Sequence, residues 1–146
     1  MWKNLNSITI NCDGGSRGNP GPSACAFIVK DNSGLPIHSQ SLYLGVATNN
    51  FAEYKAVEIA LVWLKENKNN FASDIKINFI LDSELVVKQL KGEWKIKNQS
   101  IANSVSIIKN LEKEINLGVV FNHVKRHLNS DADLLVNQEL DSSSRS

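Results

Sequence analysis

The sequence predicts an α/β fold: a five-stranded mixed sheet, three antiparallel strands followed by two parallel ones, flanked by helices. Three observations lead there. The first third of the chain alternates apolar and polar residues in three segments separated by turn-forming strings, the pattern of an antiparallel meander. From residue 48 onward, segments with helical spacing alternate with two further strand-like runs, giving the order βββαβααβα. At 146 residues and 42% hydrophobic composition, the chain is long enough for one core and too short for two ordinary domains. Residues 1–140 therefore read as a single domain, and "DSSSRS" (141–146) as a disordered tail.

Ile8, Ile10 and Cys12 alternate with Thr9, Asn11 and Asp13, a strand with one buried face that ends on Asp13. Four glycines and two prolines follow within nine residues, which reads as a tight loop. "ACAFIVK" (24–30) is the second strand, "DNSG" (31–34) a turn and "HSQSLYLG" (38–45) the third strand. In "TNNFAEYKAVEIALVWLKEN" (48–67), Ala52, Ala56, Ile59, Ala60 and Trp63 recur at helical spacing, with Asn50 as the cap and an end near "NKNN". "DIKINFILD" (74–82) is a strand that stops on Asp82. A short helix runs from Ser83 to Gly92, and a longer one passes through Ile101, Val105, Ile108, Leu111 and Ile115 to stop at Gly118. "VVFNHV" (119–124) is the fifth strand, and the last helix covers about Ser130 to Leu140.

Composition narrows the function classes only partly. The formal net charge of +1 gives no overall field for nucleic acid, so any basic surface is local. The clearest such cluster is "KGEWKIK", where Lys91, Lys95 and Lys97 surround Trp94 with only Glu93 opposing. A solvated surface with Trp94 as a core anchor is the plain alternative for this cluster. No apolar run reaches the length of a membrane helix, and the amino end has no apolar signal core, so a soluble intracellular protein is expected. Cys12 and Cys25 then read as buried free thiols.

Four acids fall at element ends: Asp13 and Asp82 after strands, Glu53 and Asp133 in first helical turns. Such ends meet along one edge of an open α/β sheet, where ligands bind. Each acid also has a local explanation. Asn50 with Glu53, and Ser130 with Asp133, have capping-box spacing. Asp82 has the position of a helix cap and Asp13 that of a turn former. The spacing alone leaves both explanations open.

Four strings together point to one family. "DGGSRGNPGP", "TNNFAEYKAVEIAL", "LDSELVVKQLKGEWKIKN" and "NSDADLLVN" resemble, in order and separation, the segments of type 1 ribonuclease H, and the resemblance spans about Ile8 to Asn137. It implies the ribonuclease H-like fold, and an endonuclease that hydrolyses the RNA strand of an RNA/DNA hybrid with two Mg²⁺ or Mn²⁺ ions, leaving 5′-phosphate and 3′-hydroxyl ends. The family's catalytic, metal-binding carboxylates match Asp13, Glu53, Asp82 and Asp133. Carboxylate oxygens suit these hard cations, and four acids at close range need cations to offset their repulsion. The resemblance further implies that Gly14 and the loop after it bring backbone close to the nucleic acid. Asn19, Asn49 and Asn50 match positions that meet RNA 2′-hydroxyls, the group that separates RNA from DNA. Thr48 and Asn98 match members of a pocket for a DNA-strand phosphate, and Trp94, Lys95 and Lys97 are expected beside that strand. A cytoplasmic monomer acting on hybrid, with no membrane partner, is the expectation that follows.

The chain also departs from the family pattern. Val46 stands where some members carry an Arg in the phosphate pocket, only "EWKIKNQ" remains of the Lys-rich handle, and no separate hybrid-binding domain is expected at the amino end. The flexible His loop before the last acid is missing, leaving His127 as an auxiliary candidate or a solvated loop residue; His123 reads as structural. Two rival functions remain distinct. A proofreading-type exonuclease carries a second acid where this chain has Gly15, and a non-catalytic hybrid-binding module would be marked by loss of a carboxylate, yet all four are present.

Overall fold

In the computed structural model, which describes residues 1–144, the three alternating segments become β1 (Ser7–Ser16), β2 (Gly21–Lys30) and β3 (Pro36–Ala47). They are followed by α1 (Asn49–Asn67), β4 (Lys76–Leu81), α2 (Glu84–Leu90), α3 (Gln99–Ile115), β5 (Gly118–His123) and α4 (Ser130–Ser144). The sheet has the order β3-β2-β1-β4-β5. β1 pairs antiparallel with β2 and β2 with β3, whereas β1 pairs parallel with β4 and β4 with β5.

The two faces of the sheet are covered unequally. α1 packs between the sheet and α3, which explains why apolar residues extend beyond one stripe of it: Ala52, Tyr54, Ala56, Val57, Ala60, Leu61, Trp63 and Leu64 are all buried. All of these but Ala52 join Ile8, Ile10, Phe27, Ile77, Phe79 and Ile108 in the main core. α4 covers the other face, where Val136 and Leu140 pack on Ala24 and Ala26. Cys12 and Cys25 are buried free thiols. Among the described residues, no helix is long and apolar enough to cross a membrane.

Several boundaries differ from the sequence expectation. β1 does not end at Asp13 but continues through the glycine-rich string to Ser16, because Gly14 and Gly15 pair with Cys25 and Ala24. The cap of α1 is Thr48, whose hydroxyl accepts from Phe51 N at 3.2 Å, and Asn50 lies inside the first turn. α3 starts after Asn98, whose side chain accepts from Ile101 N at 3.2 Å, and ends on Asn116, which takes the left-handed conformation (φ 53°) expected of a glycine. Gly118 instead begins β5. The helix predicted to stop at Leu140 runs on to Ser144, held by an Arg17–Asp141 ion pair (2.7 Å), so residues 141–144 are helical; residues 145 and 146 lie outside the described residues.

Candidate active site

The site grows from a change in strand pairing. Beyond Asn11, which pairs with Ile80, β1 loses its parallel neighbour, while its antiparallel pairing with β2 continues to Ser16. β4 ends at Leu81 and delivers Asp82 into the crevice where the strands part, the place where open α/β sheets bind ligands. Asp13 stands beside it on the neighbouring strand β1. Gly14 then admits α1: a Cβ there would lie 2.2 Å from Ala52 C and 2.5 Å from Glu53 N. With no side chain at Gly14, the helix backbone crosses directly over the strand and carries Glu53 beside Asp13.

Carboxylate oxygens of Asp13, Glu53 and Asp82 consequently lie within 4.8 Å of one another. They line a cavity of about 420 Å³ that Asp133 closes from the first turn of α4. Asp133 stands outside the tight trio and contacts Arg126 at 3.5 Å.

The local explanations for these acids do not hold in the structure. Thr48 caps α1, so Glu53 belongs to no capping box. Ser83, not Asp82, caps α2, accepting from Val86 N at 3.3 Å. Ser130 has helical backbone angles and follows a 3-10 turn (Arg126–Asn129), so it is not the extended cap that a box with Asp133 requires. Asp13 is in the interior of a strand rather than in a turn.

Burial and crowding leave this cluster short of positive charge. Burial, followed by the charge of Asp82, raises Asp13 from 3.8 to about 7, against a lowering hydrogen bond from protonated Glu53 and another from Gly14 N–H. Burial, then Asp13 and Asp82, pushes Glu53 well above the carboxylate range. Burial also raises Asp82, opposed by the Asn129 side chain, Arg126 and His123. Glu53 Oε2 is buried without a hydrogen-bond partner. An all-oxygen donor set, an orphaned buried oxygen and carboxyls that retain protons together fit a divalent hard cation such as Mg²⁺ or Mn²⁺.

This charge balance predicts a pH effect on the metal-free protein. Asp13 binds its proton more tightly folded than unfolded, so the stability linked to that proton is present in full below the unfolded value of 3.8 and is lost as pH rises through about 7. Thermal unfolding in a chelator is expected to show stability falling across this window, Asp13→Asn to flatten the fall, and Mn²⁺ at pH 7.5 to raise Tm by several degrees. Equal pH slopes for parent and variant would overturn the electrostatic assignment.

A second cavity, of about 530 Å³, shares Asn50 with the first and gathers Asn19, Thr48, Lys95, Lys97 and Asn98. Thr48 and Asn98 are the caps of α1 and α3, so two helix amino ends face this groove together with two lysines, a favourable setting for phosphate. Asn49 lines the carboxylate cavity; its Oδ1 accepts from Ser16 N (2.8 Å) and Oγ (3.0 Å), while its backbone N donates to Asn19 Oδ1 (3.0 Å). The glycine-rich loop is thereby tied to the start of α1.

The remaining expected residues divide between this site and its surroundings. Gly14 lines the carboxylate cavity, and its structural reason is the crossing of α1. Trp94 is 44% exposed and lines neither cavity, so it is not the core anchor considered above. His127 is exposed and lines neither cavity; its neighbour Arg126 takes the place at the wall. His123, at the end of β5 opposite Leu81, is close enough for its charge to act on Asp82. Sequence reasoning missed Arg126, although the basic run 125–127 before Asp133 carried the signal. It also missed Asn129, which is 1% exposed and joins β1 to the 3-10 turn, accepting from Asn11 Nδ2 (3.0 Å) and donating to Cys12 O (2.8 Å).

Comparison with known proteins places this geometry. The family model described as "Reverse transcriptase-like" matches residues 11–139. The chain is 32% identical to the bifunctional protein Rv2228c of Mycobacterium tuberculosis over 95% of this chain and 37% of that one. It is 36% identical to ribonuclease HI of Halobacterium salinarum over 88% of this chain and 62% of that one. It thus spans less than two thirds of the length of either relative. Among solved structures, LC11-RNase H1 in complex with an RNA/DNA hybrid superposes with a TM-score of 0.88 at 36% identity, covering 93% of this chain and 98% of that one. With the five-stranded sheet and the acidic crevice described above, these matches show that the chain belongs to the ribonuclease H family of reverse transcriptase-like domains.

Proposed function

We propose that the chain hydrolyses the RNA strand of RNA/DNA hybrids with two divalent ions, Mg²⁺ or Mn²⁺, leaving 5′-phosphate and 3′-hydroxyl ends. The observation that carries this reading is the trio of carboxylates within 4.8 Å around an orphaned Glu53 oxygen, in a crevice that shares Asn50 with a groove suited to phosphate. When bound, the ions supply an activated water and stabilise charge on the attacking and leaving oxygens. Asp13, Glu53 and Asp82 hold them, and Asp133 completes the donor set from α4. Arg126 brings a positive charge to the same wall, where a scissile phosphate gains electrostatic stabilisation. Asn49, Asn50 and Glu53 in the carboxylate cavity, with Asn19 reaching them from the edge of the second groove through its bond to Asn49 N, face the RNA strand and select its 2′-hydroxyls. The second groove holds the DNA strand by its phosphates.

End-labelled RNA/DNA hybrid, DNA duplex and RNA duplex, each incubated with Mg²⁺, Mn²⁺ or chelator, test the reading. Metal-dependent cutting of the RNA strand in the hybrid alone is expected; equal cutting of RNA duplex, or cutting in chelator, would sink it.

The groove carries its own prediction. Lys95→Ala with Lys97→Ala is expected to raise KM for hybrid several-fold, change kcat little, and reduce the log–log salt slope of binding by about one to two, one counterion per lost phosphate contact. An unchanged KM and slope would leave the DNA-strand contacts to Thr48 and Asn98.

A further inference from the structure

The segment that carries Lys95 and Lys97 has little backbone support of its own. Gly92 N, Glu93 N and Trp94 N bond back to Gln89 O and Lys88 O and finish α2, and the next hydrogen-bonded element begins at Asn98, where α3 is capped. Between them residues 95–97 have neither helical nor strand structure, and only Ile96 is partly buried. Yet Lys95 and Lys97 line the groove. Something must hold this stretch in place.

The side chain of Gln89, at the end of α2, meets both the core and this segment. Its Nε2 donates to Lys95 O at 3.2 Å, and its Oε1 accepts from the hydroxyl of Tyr54 on α1. The orientation of the amide follows from its partners. Lys95 O can only accept, so the NH₂ must face it, and the amide oxygen then faces Tyr54, whose hydroxyl must donate. Tyr54 is 1% exposed, and burial pushes its hydroxyl up to about 12, so it stays a neutral donor at any working pH. Tyr54 is also the neighbour of Glu53 along α1. One rigid core side chain therefore orients the amide that fixes the backbone between the two lysines and α2.

We propose that Gln89 is a positioning residue for nucleic-acid binding: with Tyr54, it clamps the 95–97 segment so that Lys95 and Lys97 face the phosphate groove. This rests on the proposed function for the nature of the ligand, and not for the clamp itself. Gln89 itself lines the groove but contributes no charge, so a salt-slope change on its removal acts through the lysines, whose backbone would spread over several positions and lower the fraction that is competent to bind.

The test is direct binding of a fluorescent RNA/DNA hybrid in chelator over a salt series, together with steady-state cleavage in Mg²⁺. Gln89→Met keeps the length and the packing but loses both hydrogen bonds. It is expected to weaken binding and raise KM about 3- to 10-fold, lower kcat less than about twofold, and reduce the salt slope by about one. Tyr54→Phe keeps Gln89 and frees its amide to turn; a smaller effect in the same direction is expected, which secures the test should Gln89→Met fold poorly. A merely structural role would lower Tm and leave KM and salt slope at parent values, and that result would overturn the proposal. A parent that binds hybrid without cutting it would sink the catalytic reading and leave the clamp standing. A parent that cuts hybrid while both variants bind like it would do the reverse.

Discussion

Asp82→Asn is expected to lower kcat on RNA/DNA hybrid by two to four orders of magnitude while the protein folds as before. The substitution removes one negative charge and one donor oxygen from a trio whose members lie within 4.8 Å. Misplaced cations would then stabilise the developing charge less well, by about 3–6 kcal/mol at about 1.4 kcal/mol per decade of rate. Folding should be spared for two structural reasons. α2 keeps its cap, because Ser83 and not Asp82 bonds Val86 N. Burial already raises the Asp82 carboxyl, so a neutral amide removes an unfavourable charge in the metal-free state. The measurements are single-turnover cleavage of labelled hybrid and thermal unfolding in chelator. Near-parent cleavage in Mg²⁺ would refute the site assignment, and a large loss of Tm would return Asp82 to a structural role.

Why these acids could be placed from the sequence, while their neighbours could not, has a physical basis. Alternation in Ile8–Cys12 and Ile75–Leu81 marks the sheet face that turns to the main core, a local property of the segment. The topology follows from the order of such segments. The limits of the elements were harder to see, since they depend on partners distant in sequence. "GGS" reads as loop, yet it is strand because Ser23, Ala24 and Cys25 on β2 pair with it. Thr48 and Asn50 are both good capping residues; the contact of Asn19 with Asn49 N puts the loop one residue after Thr48, a tertiary contact spanning 30 positions. Asn129 finds Asn11 across 118 positions, and Gln89 finds Tyr54 across 35. Amides paired across the sequence in this way carry no periodic signal, whereas carboxylates at element ends stand out because an uncompensated buried charge is costly.

Gly14→Ala is expected to cost about 3 kcal/mol or more of stability and to reduce cleavage at least about 100-fold, although it adds one methyl group and no charge. The added Cβ would fall 2.2 Å from Ala52 C, 2.3 Å from Ala52 O and 2.5 Å from Glu53 N. These are backbone atoms of α1, which cannot turn aside as the end of a flexible side chain can. Relief requires the helix to move outward, against the packing of Ala56, Ala60 and Leu64 in the main core, and every such shift carries Glu53 away from Asp13. The next residue supplies the control. At Gly15 an added Cβ meets only Val136 Cγ1 at 3.9 Å and Asn49 Oδ1 at 4.0 Å, ordinary contact distances. Gly15→Ala should therefore be neutral or stabilising by up to about 1 kcal/mol, chiefly through the lower entropy of the unfolded chain. Denaturant unfolding of the two variants beside the parent, with cleavage rates and Mn²⁺ affinity for each, separates the effects. If Gly14→Ala unfolded like Gly15→Ala and still bound Mn²⁺ like the parent, the close crossing of α1 would not be what places Glu53, and the origin of the carboxylate cluster would have to be sought in α4 and the 3-10 turn before it.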